Sequence, residues 1–293
     1  MEARKLALRG GAGLALAIST ALLGPVVVPT YPVPRVVAPP AVAVEPAPAA
    51  ADRNALPDGG RAVDSGSPDE AVSVWDLPAG TIVLNPVSGR REILDPAVAR
   101  TAVLMGDSQS AGAAGTDGAH TWVAAGLAAR GYKVDFVGAP GTGFVAGTTF
   151  HANYPDAVES GAVMLPYGNP ALVVVQGGGN DAAQGASDAQ IMDNAERLLR
   201  DLKASYPRSD FLFIGTLSSG AAAGGRRVQV DALLAGIAQR NGIRFISAGD
   251  WITRYGLADK MADGVHLNAS GHEVLTKVLT AKLGDLKLVA PRP

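Results

Sequence analysis

From residue 101 onward, short apolar runs alternate with stretches whose apolar positions recur at helical spacing. Residues 101–105 (Thr-Ala-Val-Leu-Met) are an apolar run closed by Gly106, which predicts a buried strand. Residues 119–130 carry Trp122, Leu127 and small side chains on one side, with Gly131 as a stop, and predict a helix. Further strands are predicted at 133–137, 171–176 (Ala-Leu-Val-Val-Val-Gln), 211–214 and 244–247. The clearest helix covers 188–205. Its Ile191, Ala195, Leu198, Leu199 and Leu202 share one face, while Glu196, Arg197, Arg200 and Asp201 point outward. Ser187 is placed to cap it, and Pro207 ends the segment. Helices at 227–240, stopped by Gly242, and at 269–286, with Val274, Leu275, Val278, Leu279 and Leu283 on one face, complete the series. Five strands alternating with helices predict an α/β fold with a parallel sheet covered on both faces. Residues 79–94 stand outside that alternation and predict a small hairpin turning at 86–89.

The chain before this region follows a different pattern. Arg4, Lys5 and Arg9 precede residues 10–28, which carry no charge. That is the layout of a signal peptide, or of a membrane anchor if the segment is retained. Residues 29–70 are rich in Pro, Ala and Val, including Pro39-Pro40 and Pro46-Ala47-Pro48, and cannot build a periodic apolar face. They are expected to form a disordered linker, leaving 71–293 as the folded domain. The protein is accordingly expected to be exported, either secreted or attached to the cell envelope through its N-terminal segment.

Composition narrows the chemistry. The 293 residues hold 25 Lys+Arg against 27 Asp+Glu, a balance that argues against a nucleic-acid partner. The absence of cysteine excludes thiol nucleophiles, disulfide scaffolds and cysteine-held metals. Four histidines without an H-E-x-x-H pattern argue against a metal-dependent hydrolase.

In a parallel α/β sheet the reacting groups gather at the carboxyl ends of the strands. Four short blocks fall there. Gly106-Asp107-Ser108 follows the first strand, where a tight turn pushes a serine out of the sheet edge. Gly138-Ala-Pro-Gly141-Thr-Gly143 follows the second and offers backbone donors, without the spacing of a phosphate loop. Gly178-Gly179-Asn180-Asp181 follows the third, where a side-chain amide can donate to a developing oxyanion. Asp263-Gly-Val-His266 precedes the last helix. Its imidazole can take and return a proton near neutral pH, and a carboxylate three residues earlier can fix the tautomer. Each block alone is short enough to arise by chance, and each has an ordinary structural use as a cap or turn. Their order, and their common position at strand ends, is what carries the reading.

This set resembles the SGNH (GDSL-type) hydrolase family over residues 102–286. The resemblance implies a flavodoxin-like three-layer α/β/α sandwich and a serine esterase without cofactor. It implies Ser108 as nucleophile, His266 as general base and acid, and Asp263 as the group that orients His266. The oxyanion donors it implies are the Ser108 N–H, a Gly141 N–H and the Asn180 side chain. Gly143 competes with Gly141, which is preferred for its distance from the second strand. Gln109 departs from the family pattern, where many members carry Leu or Ile after the serine. The substrates expected are small-molecule, glycan or lipid acyl esters. An acyltransferase using the same serine to acylate a glycan hydroxyl, or a non-catalytic envelope-binding domain, are the alternatives.

The remaining histidines and tryptophans read more plainly. His120 is expected to open a helix at the surface, His151 to sit in a loop, and His272 to be structural. Ser110 is assigned to the turn, Asp181 to bracing its loop, and Trp122 and Trp251 to packing.

Overall fold

The computed structural model describes residues 73–292. The N-terminal segment 1–28 and the whole expected linker 29–70 therefore lie outside the described residues. No helix among the described residues is long and apolar enough to cross a membrane.

A hairpin of β1 (Ile82–Leu84) and β2 (Arg91–Ile93) comes first, antiparallel and turning where the sequence places Pro86 to Gly89. It docks onto the rest of the domain through Arg90, which reaches Asp201 at 3.4 Å. Then come β3 (Thr101–Met105), α1 (Ser108–Ala111), α2 (Trp122–Ala128), β4 (Lys133–Phe136), α3 (Tyr154–Glu159) and β5 (Leu172–Gln176). They are followed by α4 (Gly179–Ala183), α5 (Asp188–Ser205), β6 (Asp210–Ile214), α6 (Gly225–Arg240), β7 (Arg244–Ile246), α7 (Trp251–Arg254) and α8 (Ala269–Asp285).

The five later strands form one parallel sheet in the order β4-β3-β5-β6-β7. This is the flavodoxin-like order, and the domain is the α/β sandwich expected from the sequence. Strand alternation divides the core into two layers. Val103, Val173, Val175 and Phe213 face Ile191, Leu198 and Leu202 of α5 and Val230 and Leu234 of α6. Ala102, Leu104, Leu172, Val174 and Leu212 face Trp122 and Leu127 of α2 and Leu275, Leu279 and Leu283 of α8. Residues buried on both faces are what a central parallel strand requires, and β3 and β5 are buried throughout. Each large α5 side chain so buried contributes about 1.5–3 kcal/mol. Ser187 and Gln190 close a reciprocal capping box at its start.

One expected helix is broken. In place of a continuous helix over 119–130, a 3₁₀ turn (Gly118–His120) ends at Thr121, and α2 begins at Trp122. Asp117 caps the first piece through Ala119 and His120 N–H, and Thr121, in extended conformation, caps the second through Ala124 N–H. Two caps four residues apart outcompete helix continuation. His120 therefore does not open a helix. It closes the 3₁₀ turn, exposed, with Nδ1 2.7 Å from Asp117.

The sheet order reverses between β3 and β5. Connections leaving these neighbours diverge, so a crevice opens at their carboxyl ends. The first and third blocks of the sequence flank that crevice.

Candidate active site

Ser108 is the first residue of α1, directly past β3. Asp107 precedes it as N-cap and accepts the Gln109 N–H at 2.9 Å, which leaves the Ser108 N–H without an intrahelical partner. The Ser108 hydroxyl lies 2.8 Å from His266 Nε2. His266 Nδ1 lies 2.7 Å from Asp263 Oδ2. The loop holding the last pair is built by Asp263 itself, whose Oδ1 accepts the Val265 and His266 N–H groups at 3.0 and 2.7 Å. One carboxylate thus shapes the turn and orients the ring. The hydrogen bond to His266, followed by these two backbone N–H groups, holds the Asp263 carboxyl well below the usual carboxylate range. An ionised Asp263 accepting Nδ1–H leaves Nε2 as an acceptor toward the serine hydroxyl.

Asn180 sits in α4 and lines the same cleft as Ser108. Its Nδ2 donates to the Thr142 carbonyl at 2.9 Å. An amide nitrogen has two hydrogens, so the second remains for a ligand. Gly141 joins this group through Thr142, its neighbour. Gly141 adopts φ +80°, a conformation that favours glycine. The competing Gly143 gives its N–H to the Ala146 carbonyl at 2.9 Å, and a Cβ there would meet Asp181 Oδ2 at 2.3 Å. Gly143 is therefore a packing position whose N–H is already engaged.

Asp181 is fully buried and accepts three backbone N–H groups of the oxyanion-side loop: Phe144 at 3.0 Å, Val145 at 2.7 Å and Ala146 at 2.8 Å. It braces that loop, as the sequence reading assigns. Ser110 is buried, and its hydroxyl is engaged with Gln176. With its amide nitrogen turned toward acceptors, Gln176 donates to Ser110 Oγ at 2.6 Å and to Asp107 Oδ1 at 3.3 Å. His272 is buried in α8 and accepts the Trp122 N–H on Nδ1 at 3.0 Å, capping α2. Burial pushes it down to about 4. Trp122 and Trp251 are buried and meet edge to face. His151 lies exposed in its loop.

Three features of the site carry no clear sequence signal. Gln109 Nε2 donates to the Val265 carbonyl at 2.9 Å, tying the nucleophile turn to the histidine loop. Arg227 lines the cleft from α6. Asp107 is sealed beneath the serine, and burial pushes it up to about 6 from an ordinary 3.8.

Asp107 yields a signed prediction. Its folded-state value is raised, so its stabilising contribution is intact below about pH 4 and is lost as pH climbs through about 6. At neutral pH the ionised group opposes folding by about 3 kcal/mol. Asp107→Asn keeps an acceptor for the Gln109 N–H. It should raise stability by up to about 3 kcal/mol at pH 7 and by little near pH 4, read by urea denaturation at both. Equal changes at the two pH values would refute this account of Asp107.

A hydroxyl, an imidazole and a carboxylate hydrogen-bonded in a row, beside an amide donor at the switch point of a parallel sheet, have the layout of a serine hydrolase. Comparison with known proteins agrees with this class. The model of the GDSL-like lipase/acylhydrolase family matches residues 104–274, more than half of the chain. The chain belongs to that family and is an ester hydrolase. Among solved structures it is similar to a family two carbohydrate esterase from Clostridium thermocellum in complex with cellohexaose, at 15% identity and TM-score 0.52, covering 68% of this chain and 69% of that one. It is also similar to a family two carbohydrate esterase from Cellvibrio japonicus, at 18% identity and TM-score 0.52, covering 68% of this chain and 64% of that one. The chain thus spans about two thirds of those structures, and the likeness is one of fold. No curated protein sequence matches.

Proposed function

We propose that this protein is an exported serine esterase that removes acyl groups from envelope glycans, lipids or other small esters through an acyl-serine intermediate. The observation that carries the chemistry is the unbroken row from Asp263 through His266 to Ser108, at 2.7 and 2.8 Å. Export rests on the basic and then apolar pattern of residues 1–28.

In the first half-reaction Ser108 Oγ bonds to the ester carbonyl carbon while its proton passes to His266 Nε2. The carbonyl π electrons move onto oxygen, and the Ser108 N–H, the Gly141 N–H and the Asn180 amide stabilise that charge. The carbon–oxygen bond to the alcohol then breaks, and His266 returns the proton to the departing alkoxide. In the second half-reaction water gives a proton to His266 and attacks the acyl-serine, and collapse of the second tetrahedral adduct releases the acid and restores Ser108. Asp263 keeps the imidazolium paired throughout.

Space at the serine suits small acyl groups. The cleft lined by Ser108, Asn180, Thr216 and Leu217 is small and open to solvent, with only about 20 Å³ of enclosed space. A larger cavity of about 480 Å³, lined by Asp117, His120, Glu273 and Lys277, contains none of the catalytic side chains. The carbohydrate esterases that share this fold support a sugar ester as one candidate substrate.

A series of aryl esters from acetate to long chains, run beside acetylated glycans, tests this reading. Acetate should be the best of the series, and free acid should appear without added acceptor. Acid release that requires a glycan hydroxyl would instead identify an acyltransferase, and no turnover would leave a binding domain. Within the same assay Asn180→Ala should lower kcat by about 10²–10³-fold with KM little changed, because its donor acts on charge that appears only in the transition state. An unchanged kcat would remove Asn180 from the oxyanion site.

A further inference from the structure

Arg227 stands in the first turn of α6, half-buried, on the wall of the cleft that holds Ser108 and Asn180. Among the described residues its guanidinium meets no carboxylate within 4 Å and donates no hydrogen bond. Its neighbour Arg226 is fully used, reaching Asp188 at 2.6 Å and the Ala186 carbonyl at 2.8 Å. Most arginines on this domain are paired in the same way, Arg197 with Asp156 and Glu159 and Arg244 with Asp210 among them. An arginine keeps its charge at any working pH, and its planar fork of five donors matches a carboxylate in two parallel hydrogen bonds. Holding such a fork beside the nucleophile, partly desolvated and unpaired, disfavours the free enzyme and favours a ligand that brings the missing oxygens.

We propose that Arg227 is a substrate-binding residue that selects esters bearing a carboxylate near the scissile bond. The inference rests on the esterase reading above and adds the substrate class to it. The rest of the cleft wall fits this division of labour. Thr216, Leu217, Gly179 and Val265 are neutral, so Arg227 is the one cation among the cleft-lining residues. The negative group there, Asp107, lies sealed beneath Ser108 and accepts the Gln109 N–H; the Arg227 charge acts on it through space, without a hydrogen bond or ion pair between them. The carboxylate can belong to the acyl part, as in a dicarboxylic monoester, or to the alcohol part, as in an ester of a hydroxy acid or an acidic sugar.

Two matched pairs of probes separate these sources. Mono-4-nitrophenyl succinate against its methyl ester places the charge on the acyl side. 4-Acetoxybenzoate against its methyl ester places it on the alcohol side. In at least one pair the wild-type enzyme should prefer the anionic member in kcat/KM. In Arg227→Gln that preference should fall by about ten- to a hundredfold, the range of a charge-assisted hydrogen bond. Arg227→Lys should retain part of it, and added salt should erode it in the wild type. The pair that responds identifies the side. An anionic-to-neutral ratio that is the same in wild type and Arg227→Gln for both pairs would overturn the proposal. So would an equal loss on both members with a shifted pH profile, the signature of a residue that merely offsets the buried Asp107 charge. Should the wild type hydrolyse none of the four esters, the esterase reading itself fails. Turnover of the neutral members with an unmoved ratio refutes only the role of Arg227. The thermal midpoint of each variant, compared with wild type, separates misfolding from lost recognition.

Discussion

Ser108→Ala is expected to lose roughly 10⁶-fold in kcat on an aryl acetate while retaining the wild-type fold. The size follows from what the hydroxyl does in this arrangement. Its oxygen is 2.8 Å from His266 Nε2, so no other group on the cleft wall is placed to form the acyl-enzyme. Ser110, the nearest alternative in sequence, is buried against Gln176 and cannot take over. Removing the imidazole in His266→Ala should have an effect of similar size, and the double variant should be hardly worse than either single one, because the pair acts as a unit. The little activity that remains would come from the oxyanion donors acting on bound substrate. Ser108 is half-buried and its removal leaves only a small void, so the thermal midpoint should stay within a few degrees of wild type. A fluorophosphonate should label the wild type and fail to label Ser108→Ala. Labelling that persists in the variant, or turnover within about tenfold of wild type, would remove Ser108 from the chemistry.

The sequence made the frame of this site readable because its signals are local. Five apolar runs separated by amphipathic stretches define a parallel sheet, and the carboxyl-end rule then converts strand ends into candidate positions. That was enough to select Ser108, Asn180, Asp263 and His266 for the structure to gather. Element boundaries were less legible where caps compete with periodicity. The apolar spacing of 119–130 is genuinely helical, yet Thr121 holds an extended backbone because its hydroxyl caps Ala124. The supporting shell was the least legible part, since its partners lie far apart in the chain. Gln109 meets Val265 and Ser110 meets Gln176 only after the sheet has formed. Nothing about a glutamine after a serine, read along the chain, announces that it will tether a loop 156 residues away. Arg227 is equally silent in sequence, because an arginine at a helix start is ordinary and only its unpaired position on the cleft wall distinguishes it.

Asp181→Ala should damage both stability and turnover, although this residue is not assigned to bond making. Its two oxygens receive the N–H groups of Phe144, Val145 and Ala146, three consecutive donors of which the first and last belong to buried residues and the middle one to a half-buried residue. A loop that must present backbone N–H groups elsewhere cannot satisfy these three within itself, and no regular ladder reaches them. Truncation leaves all three unpaired, two of them buried, which should lower stability by about 3–5 kcal/mol. The functional loss follows from connectivity. Asp181 lies beside Asn180 in α4, and Asn180 is bonded to Thr142 on the same loop, so releasing residues 144–146 loosens both donors at once. The fall in kcat should therefore reach about 10²-fold or more even below the unfolding transition, comparable with deleting an oxyanion donor outright. Asp181→Asn retains one accepting oxygen and should fall between wild type and Asp181→Ala in both measurements. Urea denaturation and aryl acetate kinetics on the two variants decide the matter. A wild-type urea midpoint in Asp181→Ala would show that the loop holds its shape without this brace. Lost stability with undiminished kcat would show that the loop does not set the geometry of the oxyanion donors.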